Sequence, residues 1–315
     1  MRYDGKRRTA RYILLAMIRS VIMKENSILQ LYYHHTKNII YNALPRTLEA
    51  DYAFGPHCHQ NVELCAMTSG SCVFVVNGEA ISVCAGQLLV IFSHMIHSAR
   101  TPAQAGAQFL QLHFNPECFS DTDPTVTKGL KFVQALNDAR NAYLLIDCSA
   151  QLFSCMERIC AEMANTEDLH HVAVANIYVV EFIFLLSREM EDSYRKVFRI
   201  ENPLAVQAVR FIGDHEGDRI MVGDVAKACN VTPRYISQIF KQYVNISIAD
   251  YISISKIDQA MRYIIAGNLD MTKIASKLGF SSAQYFATVF KKYTGDTPSF
   301  FKMQIASGRQ KTAPL

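Results

Sequence analysis

Four side chains able to gather around one cation or one polar ligand lie within about forty residues of each other. The first three form the pattern His57-x-His59-x3-Glu63-x6-Gly70, and the fourth closes Gly86-x5-Phe92-x-His94-x2-His97. Histidines at i and i+2 on a strand face the same side. A carboxylate and a further imidazole from a neighbouring strand complete a three-histidine, one-carboxylate set suited to a divalent metal. The same groups also suit the wall of a pocket for a small molecule, because a neutral imidazole offers one donor and one acceptor. Mutual satisfaction as a buried structural cluster is the third reading. His113, on a later strand, can face the same interior. The ligand-binding candidates are therefore His57, His59, Glu63, His97 and His113, with a metal on His57, His59, Glu63 and His97 as the alternative and no cofactor assigned.

The elements that must position these groups are short β-like stretches between Tyr41 and Asn115: Val62 to Met67, Cys72 to Val76, Glu79 to Val83, Gln87 to Phe92 and Gln108 to Phe114. Asn77-Gly78 is a hairpin signal between the second and third. Such a series predicts a small antiparallel barrel or jelly roll. The histidine spacings resemble the two cupin motifs over roughly residues 55 to 115, with Phe92 and His94 standing where cupins usually have Pro and Gly. Helical periodicity returns after Asn115. Leu130, Phe132, Val133 and Leu136 mark a short helix, Leu152 to Met163 a longer one, and Val172 to Met190 is apolar on most of its circumference, which asks for more than one packing partner. This pair is expected to pack on the barrel and on a second subunit.

The C-terminal third contains one pattern twice, VGDVAKACNVTPRYISQIFKQY (Val222 to Tyr243) and MTKIASKLGFSSAQYFATVFKKY (Met271 to Tyr293). Val225-Ala226 matches Ile274-Ala275 at an offset of 49, and Ile236 matches Phe286 at 50, so the second copy has one extra residue in its turn. Each copy reads as two short helices. Ala226 and Ala275 are small where the helices cross, Thr232 and Ser281 are placed as N-caps, and Pro233 falls at a first helical position. Ile236, Ile239 and Phe240, like Phe286, Val289 and Phe290, keep the spacing of an inward face. A helix starting at Pro203 and a long one from Ile246 to Ala266, stopped by Gly267-Asn268, bring the total to seven.

Charge divides the chain in the same places. Residues 1–40 carry 8 Lys/Arg and 2 Asp/Glu, residues 41–202 carry 10 and 18, and residues 203–315 carry 14 and 8. An acidic body joined to a basic module suits a sensor joined to a nucleic-acid binder. RNA is disfavoured, since the aromatics of the basic third fall at inward helical positions. Nine cysteines with no CxxC pair read as reduced, cytoplasmic thiols. No uninterrupted run approaches the roughly 18 apolar residues of a membrane span. Lys6 to Arg11 followed by Tyr12 to Ile18 faintly suggests a signal peptide, but Arg19 ends the run without a cleavage site. The expectation is a poorly ordered basic tail, or a true start at Met23.

The order of helices over residues 203 to 302 resembles the DNA-binding domain of the AraC/XylS family of transcription regulators, most specifically in IASKLGFSSAQYFATVFKKYTGDTPSFF. The cupin-like stretch and its helical pair resemble that family's effector-binding and dimerisation half. One departure is Lys256-Ile257-Asp258-Gln259-Ala260, where the family often begins with arginine: charge is kept and the guanidinium fork is lost. The implied class is α+β multidomain. Residues 1–40 form the tail, 41–115 the cupin-like effector domain, 116–190 a helical dimerisation region, 191–202 a linker, 203–302 the all-α domain of seven helices with two helix-turn-helix motifs, and 303–315 a C-terminal tail. The resemblance implies a sequence-specific, effector-responsive transcription regulator and not an enzyme, with double-stranded DNA, a small effector (sugars first), a second copy of the chain and RNA polymerase as partners, and no membrane. The rival is a metal-dependent cupin enzyme fused to a DNA-binding domain.

Carried over residue by residue, the family's contact positions in the first copy are Arg234, Ser237 and Gln238, with Lys241 placed for phosphate. Those of the second are Ser282, Gln284, Tyr285 and Thr288, with Lys291 and Lys292. Arginine suits the guanine edge and glutamine the adenine edge. The second copy has poorer donors, so the first is expected to read sequence and the second to position the protein through phosphates, thymine methyls and DNA shape.

Overall fold

The computed structural model describes residues 39–119, 130–192 and 196–306. The run Tyr12 to Ile18, Met23 and residues 307–315 lie outside the described residues.

Among the described residues, seven strands come before the first α-helix: β1 (Ile40–Leu48), β2 (Ala53–His57), β3 (Val62–Val76), β4 (Glu79–Cys84), β5 (Gln87–Ile91), β6 (His97–Arg100) and β7 (Ala107–Phe114). β3 is long enough to serve two sheet regions. Its first part pairs antiparallel with β5 and β7, and Ser71 to Val76 pairs with β4 and β6. Two separate strands were expected here. The chain instead runs through, with a register shift between Met67 and Ser69 and a left-handed Gly70 that bend the strand without ending it. The Asn77-Gly78 hairpin is present, with φ of 46° and 78° at its two central residues, the positive pair a two-residue turn requires.

β1, β2 and β6 were not expected, nor were β8 (Asn141–Asp147) and β9 (Lys196–Arg199). The strand order is β1-β7-β3-β5-β8-β9, with β2 paired to β6 and β4 to β3. The β-rich unit therefore draws in one strand from the stretch read as helical (116–190) and one from the stretch read as linker (191–202). Between them lie α1 (Lys131–Asn137), α2 (Ala150–Ala164) and α3 (His171–Asp192). Ser149 caps α2 by accepting the Leu152 amide at 3.2 Å. His171–Met190 of α3 is long and apolar enough to cross a membrane by length and composition, contrary to the count of uninterrupted apolar residues. Here it packs on α1, α2 and β1, burying Val179, Phe182, Ile183, Leu186 and Met190, while Glu181 on its outer side pairs with Arg158 of α2 at 2.8 Å.

Among the described residues seven helices follow, as expected: α4 (Pro203–Asp214), α5 (Val222–Ala228), α6 (Pro233–Val244), α7 (Ile248–Ala266), α8 (Met271–Lys277), α9 (Ala283–Thr294) and α10 (Pro298–Ala306). The starts of α5 and α8 differ by 49 residues and those of α6 and α9 by 50. Asn230 and Gly279 end the first helix of each pair in the left-handed conformation. The extra residue is Ser281, and it displaces the cap: Ser282, not Ser281, accepts the Tyr285 amide at 3.0 Å, the counterpart of Thr232 accepting that of Tyr235 at 3.3 Å.

The helical domain sits directly on the strands. Tyr251 of α7 donates its hydroxyl to the carbonyl of His94, and Asn245 donates to the carbonyl of Asn77 at 2.8 Å. A Cβ at Gly55 would collide with the carbonyl oxygen of Tyr293 in α9.

Candidate functional site: a buried histidine–carboxylate cluster docked on a double helix-turn-helix

Five elements deliver the cluster. β2 ends at His57, the following turn carries His59, β3 supplies Glu63, β6 starts at His97, and β7 places His113 opposite Glu63 in register. All five side chains are at least 92% buried by their exposures of 4, 8, 3, 2 and 1%. Nitrogen or oxygen atoms of His57, His59, Glu63 and His97 lie within 4.8 Å of one another. The backbone fixes the tautomers. Nδ1 of His57 faces the carbonyl of Gly55 at 3.1 Å, that of His59 faces Asn61 at 2.9 Å, and that of His97 faces Met95 at 2.8 Å. A carbonyl only accepts, so each Nδ1 carries the hydrogen and each Nε2 points into the cluster.

Glu63 is the hub. Its Oε2 lies 2.8 Å from His97 Nε2, 3.3 Å from His59 Nε2 and 3.4 Å from His113 Nε2. Its Oε1 accepts from Gln111 at 2.5 Å, and Gln111 in turn accepts from Arg46 Nε at 2.7 Å. Burial alone would raise the Glu63 carboxyl, but the surrounding histidines, His113 foremost, hold it well below the usual carboxylate range. Burial pulls His97 down, and the bond to Glu63 overcomes it, so His97 is raised. Burial takes His57 well below its ordinary value and brings His59 to about 4. Among the described residues, Nε2 of His57 has no hydrogen-bond partner.

The structure brings His57, His59, Glu63, His97 and His113 together and adds Arg46 and Gln111, which were not expected from the sequence. Gln111 was within reach, since it precedes His113 by two on one strand and must share its face. Arg46 was not, because β1 had not been recognised. The space beside the cluster, walled by Leu48, Phe54, Phe74 and Phe109, is about 40 Å³, the scale of a water molecule or two. His94, where cupins usually have glycine, keeps the left-handed backbone (φ 65°), and its ring packs against Gly213 of α4.

On the helical domain, residues at i, i+4 and i+7 line one face of a helix. In α6 these are Arg234, Gln238 and Lys241, and at the offset of 50 in α9 they are Gln284, Thr288 and Lys291; all six are exposed. Ser237 bonds back to the Pro233 carbonyl at 2.6 Å, and Thr288 to that of Gln284 at 3.1 Å. Lys292 reaches Asp250 of α7 at 2.9 Å, as does Tyr293 at 2.6 Å, so it tethers α9 to α7. Tyr235 was missed: it is 48% exposed beside Arg234, the counterpart of Tyr285 at 54%. The offset of 50 would have found it. Lys256, in place of the arginine, lies over the Phe280 ring at 5.8 Å.

A double helix-turn-helix joined to a β-rich domain with a buried polar cluster defines a ligand-responsive DNA-binding regulator. Residues 46–173 match the AraC-like ligand binding domain, and residues 225–304 match a helix-turn-helix domain family. The Msm operon regulatory protein of Streptococcus mutans is 22% identical over 259 residues, covering 81% of this chain and 88% of the relative. An HTH-type transcriptional regulator in the cgkA 5′ region of Pseudoalteromonas carrageenovora is 31% identical over 121 residues, 38% of this chain and 72% of its own. Among solved structures, unsaturated fatty acid-bound ToxT of Vibrio cholerae superposes with a TM-score of 0.59 at 14% identity, covering 88% of this chain and all of that one. The chain belongs to the AraC/XylS family of transcription regulators.

Proposed function

We propose that this regulator reads DNA chiefly through Arg234 and Gln238 of α6, with Ser237 at the helix start and Lys241 on phosphate. Gln284, Tyr285 and Thr288 of α9, with Ser282 at its start and Lys291 and Lys292 behind, set its position on the duplex. The observation that carries this reading is the pair of matching exposed rows, 234/238/241 and 284/288/291, on two helices held by α7 within one domain. The effector enters the barrel beside His57, His59, Glu63, His97 and His113. Because the space there is so small, an organic effector must displace part of the wall of Phe54, Phe74 and Phe109. Sugars and unsaturated fatty acids are the first two classes to screen by thermal shift, since a ligand of the native state raises its melting point. The chain works in the cytoplasm, without enzymatic activity and without a membrane. It dimerises through α2 and α3, where Ile177 is 51% exposed, and it meets RNA polymerase on the promoter.

Selection of binding sites from a random duplex library with the full chain tests the DNA reading. One enriched motif spanning two successive major-groove faces supports it, and enrichment of single-stranded or structureless sequence overturns it. The rival enzyme reading predicts turnover of a small substrate in the same preparation.

A further inference from the structure

The cluster turns ring nitrogens inward that have no hydrogen-bond partner or only a long contact. With Nδ1–H of His57, His59 and His97 committed to backbone carbonyls, three Nε2 atoms and a carboxylate oxygen converge on one small region. His97 Nε2 lies 2.8 Å from Glu63 Oε2. His59 Nε2 stands 3.3 Å from the same oxygen, and His57 Nε2, on a side chain only 4% exposed, has no partner. Imidazoles whose second nitrogen is fixed by a carbonyl, grouped with one carboxylate, are preorganised as ligands. Three such nitrogens and one oxygen are the donor set of a first-row divalent ion.

The segments that carry these ligands have a second face, and the DNA-binding domain lies on it. The carbonyl of His59 accepts the His94 amide at 2.8 Å, and the carbonyl of His94 accepts the hydroxyl of Tyr251 in α7. Cys58, between two of the ligands, is buried, hydrogen-bonded to Ser255 of α7 and within the field of Asp258 and Arg262 of the same helix. Asn77 accepts the Ile96 amide with its side chain at 3.2 Å, and Asn245 with its carbonyl at 2.8 Å. Gly55, whose carbonyl orients His57, lies against Tyr293 of α9.

We propose that His57, His59, Glu63 and His97 bind one divalent first-row transition metal ion, and that segments 57–59 and 94–97 couple this ion to the docking of the DNA-binding domain. The coupling to DNA rests on the reading of the chain as a regulator; the metal site does not. An ion drawing the four donors together fixes the positions of both segments and hence of the carbonyl that holds Tyr251. Coupling of this kind is reciprocal, so loosening the docking must weaken the ion.

The full chain, stripped with chelator, is titrated with Co²⁺ and followed by its visible ligand-field bands, with Zn²⁺ as competitor. One equivalent is expected to bind with a nitrogen/oxygen spectrum. His57→Leu removes a nitrogen that bonds to nothing in the cluster, so the variant folds, and Co²⁺ affinity falls by about 100-fold or more; Glu63→Gln gives a loss of similar size. Tyr251→Phe, far from the ligands in sequence, weakens Co²⁺ by about 5-fold or more. Absence of saturable Co²⁺ or Zn²⁺ binding, or binding that His57→Leu and Glu63→Gln leave unchanged, overturns the site. Unaltered affinity in Tyr251→Phe overturns the coupling. Duplex binding by the same samples separates the two readings: metal without sequence-specific DNA binding removes the regulator, and specific DNA binding without metal removes this inference.

Discussion

The helix pair α5–α6 and the pair α8–α9 place the same backbone element twice within one domain, and they differ in what surrounds it. Both bury two large side chains of the second helix completely, Ile236 and Phe240 in one and Phe286 and Phe290 in the other. Both cap that helix with a hydroxyl. Outward, the first pair presents arginine and glutamine where the second presents glutamine and threonine. Sideways, only the second is tied to α7 through Asp250, among the described contacts, with Lys292 at 2.9 Å and Tyr293 at 2.6 Å. Repetition fixed the packing and left the surface free to diverge, so a shared fold here does not imply shared work.

The equal half of that comparison breaks first in the core. Phe240→Ala and Phe290→Ala are each expected to cost about 3–5 kcal/mol, measured by denaturant unfolding. A difference between them beyond that range would mean the pairs are not equivalent inside. The unequal half is tested at the surface. Arg234→Ala weakens binding to a selected duplex by about 1–3 kcal/mol while changing stability by no more than roughly 0.5 kcal/mol, as fluorescence anisotropy and thermal melting would report.

Smaller effects sharpen the turn. Thr232→Ala and Ser282→Ala should each cost about 1 kcal/mol, the usual worth of a cap, whereas Ser281→Ala should be nearly silent in melting experiments. The smallest concerns pH. Bonds from Ser247, Tyr293 and Lys292 hold the Asp250 carboxyl below its ordinary value of 3.8. A group lowered on folding contributes fully above its unfolded value and loses that contribution as pH falls through the folded one. Acidification below about pH 4 should therefore loosen α9 from α7 before it disturbs α6, and amide exchange in the two helices would show it. Asp250→Asn should abolish the difference.

Much of this was legible in the sequence because the signals are local. Asn77-Gly78, Pro203, Pro233 and Gly267 mark turns and helix ends by backbone chemistry alone, and the 49 and 50 offsets are arithmetic on one repeat. What stayed hidden depends on distant partners. β1 contains Pro45, which a strand tolerates at a sheet edge, and among the described residues β1 pairs with β7 alone. β2 is interrupted by Gly55-Pro56, and β6 is four residues long. β8 is a strand because β5 offers it an edge, and β9 because β8 offers the next one. In the cluster, the motif residues were found and the Gln111–Arg46 extension was not: Gln111 stood at a readable spacing from His113, whereas Arg46, on the unrecognised β1, left no spacing to read. His94 illustrates the opposite case: the sequence departs from glycine and the backbone conformation does not.

The division between a reading helix and a positioning helix is tested most directly by base-by-base affinity profiles on every single substitution of a selected site, for the wild type, Arg234→Ala and Gln284→Ala. The account predicts that Arg234→Ala erases discrimination at a defined G·C position and that Gln284→Ala lowers affinity nearly evenly across the panel. A profile in which Gln284→Ala relaxes specificity more than Arg234→Ala would contradict it.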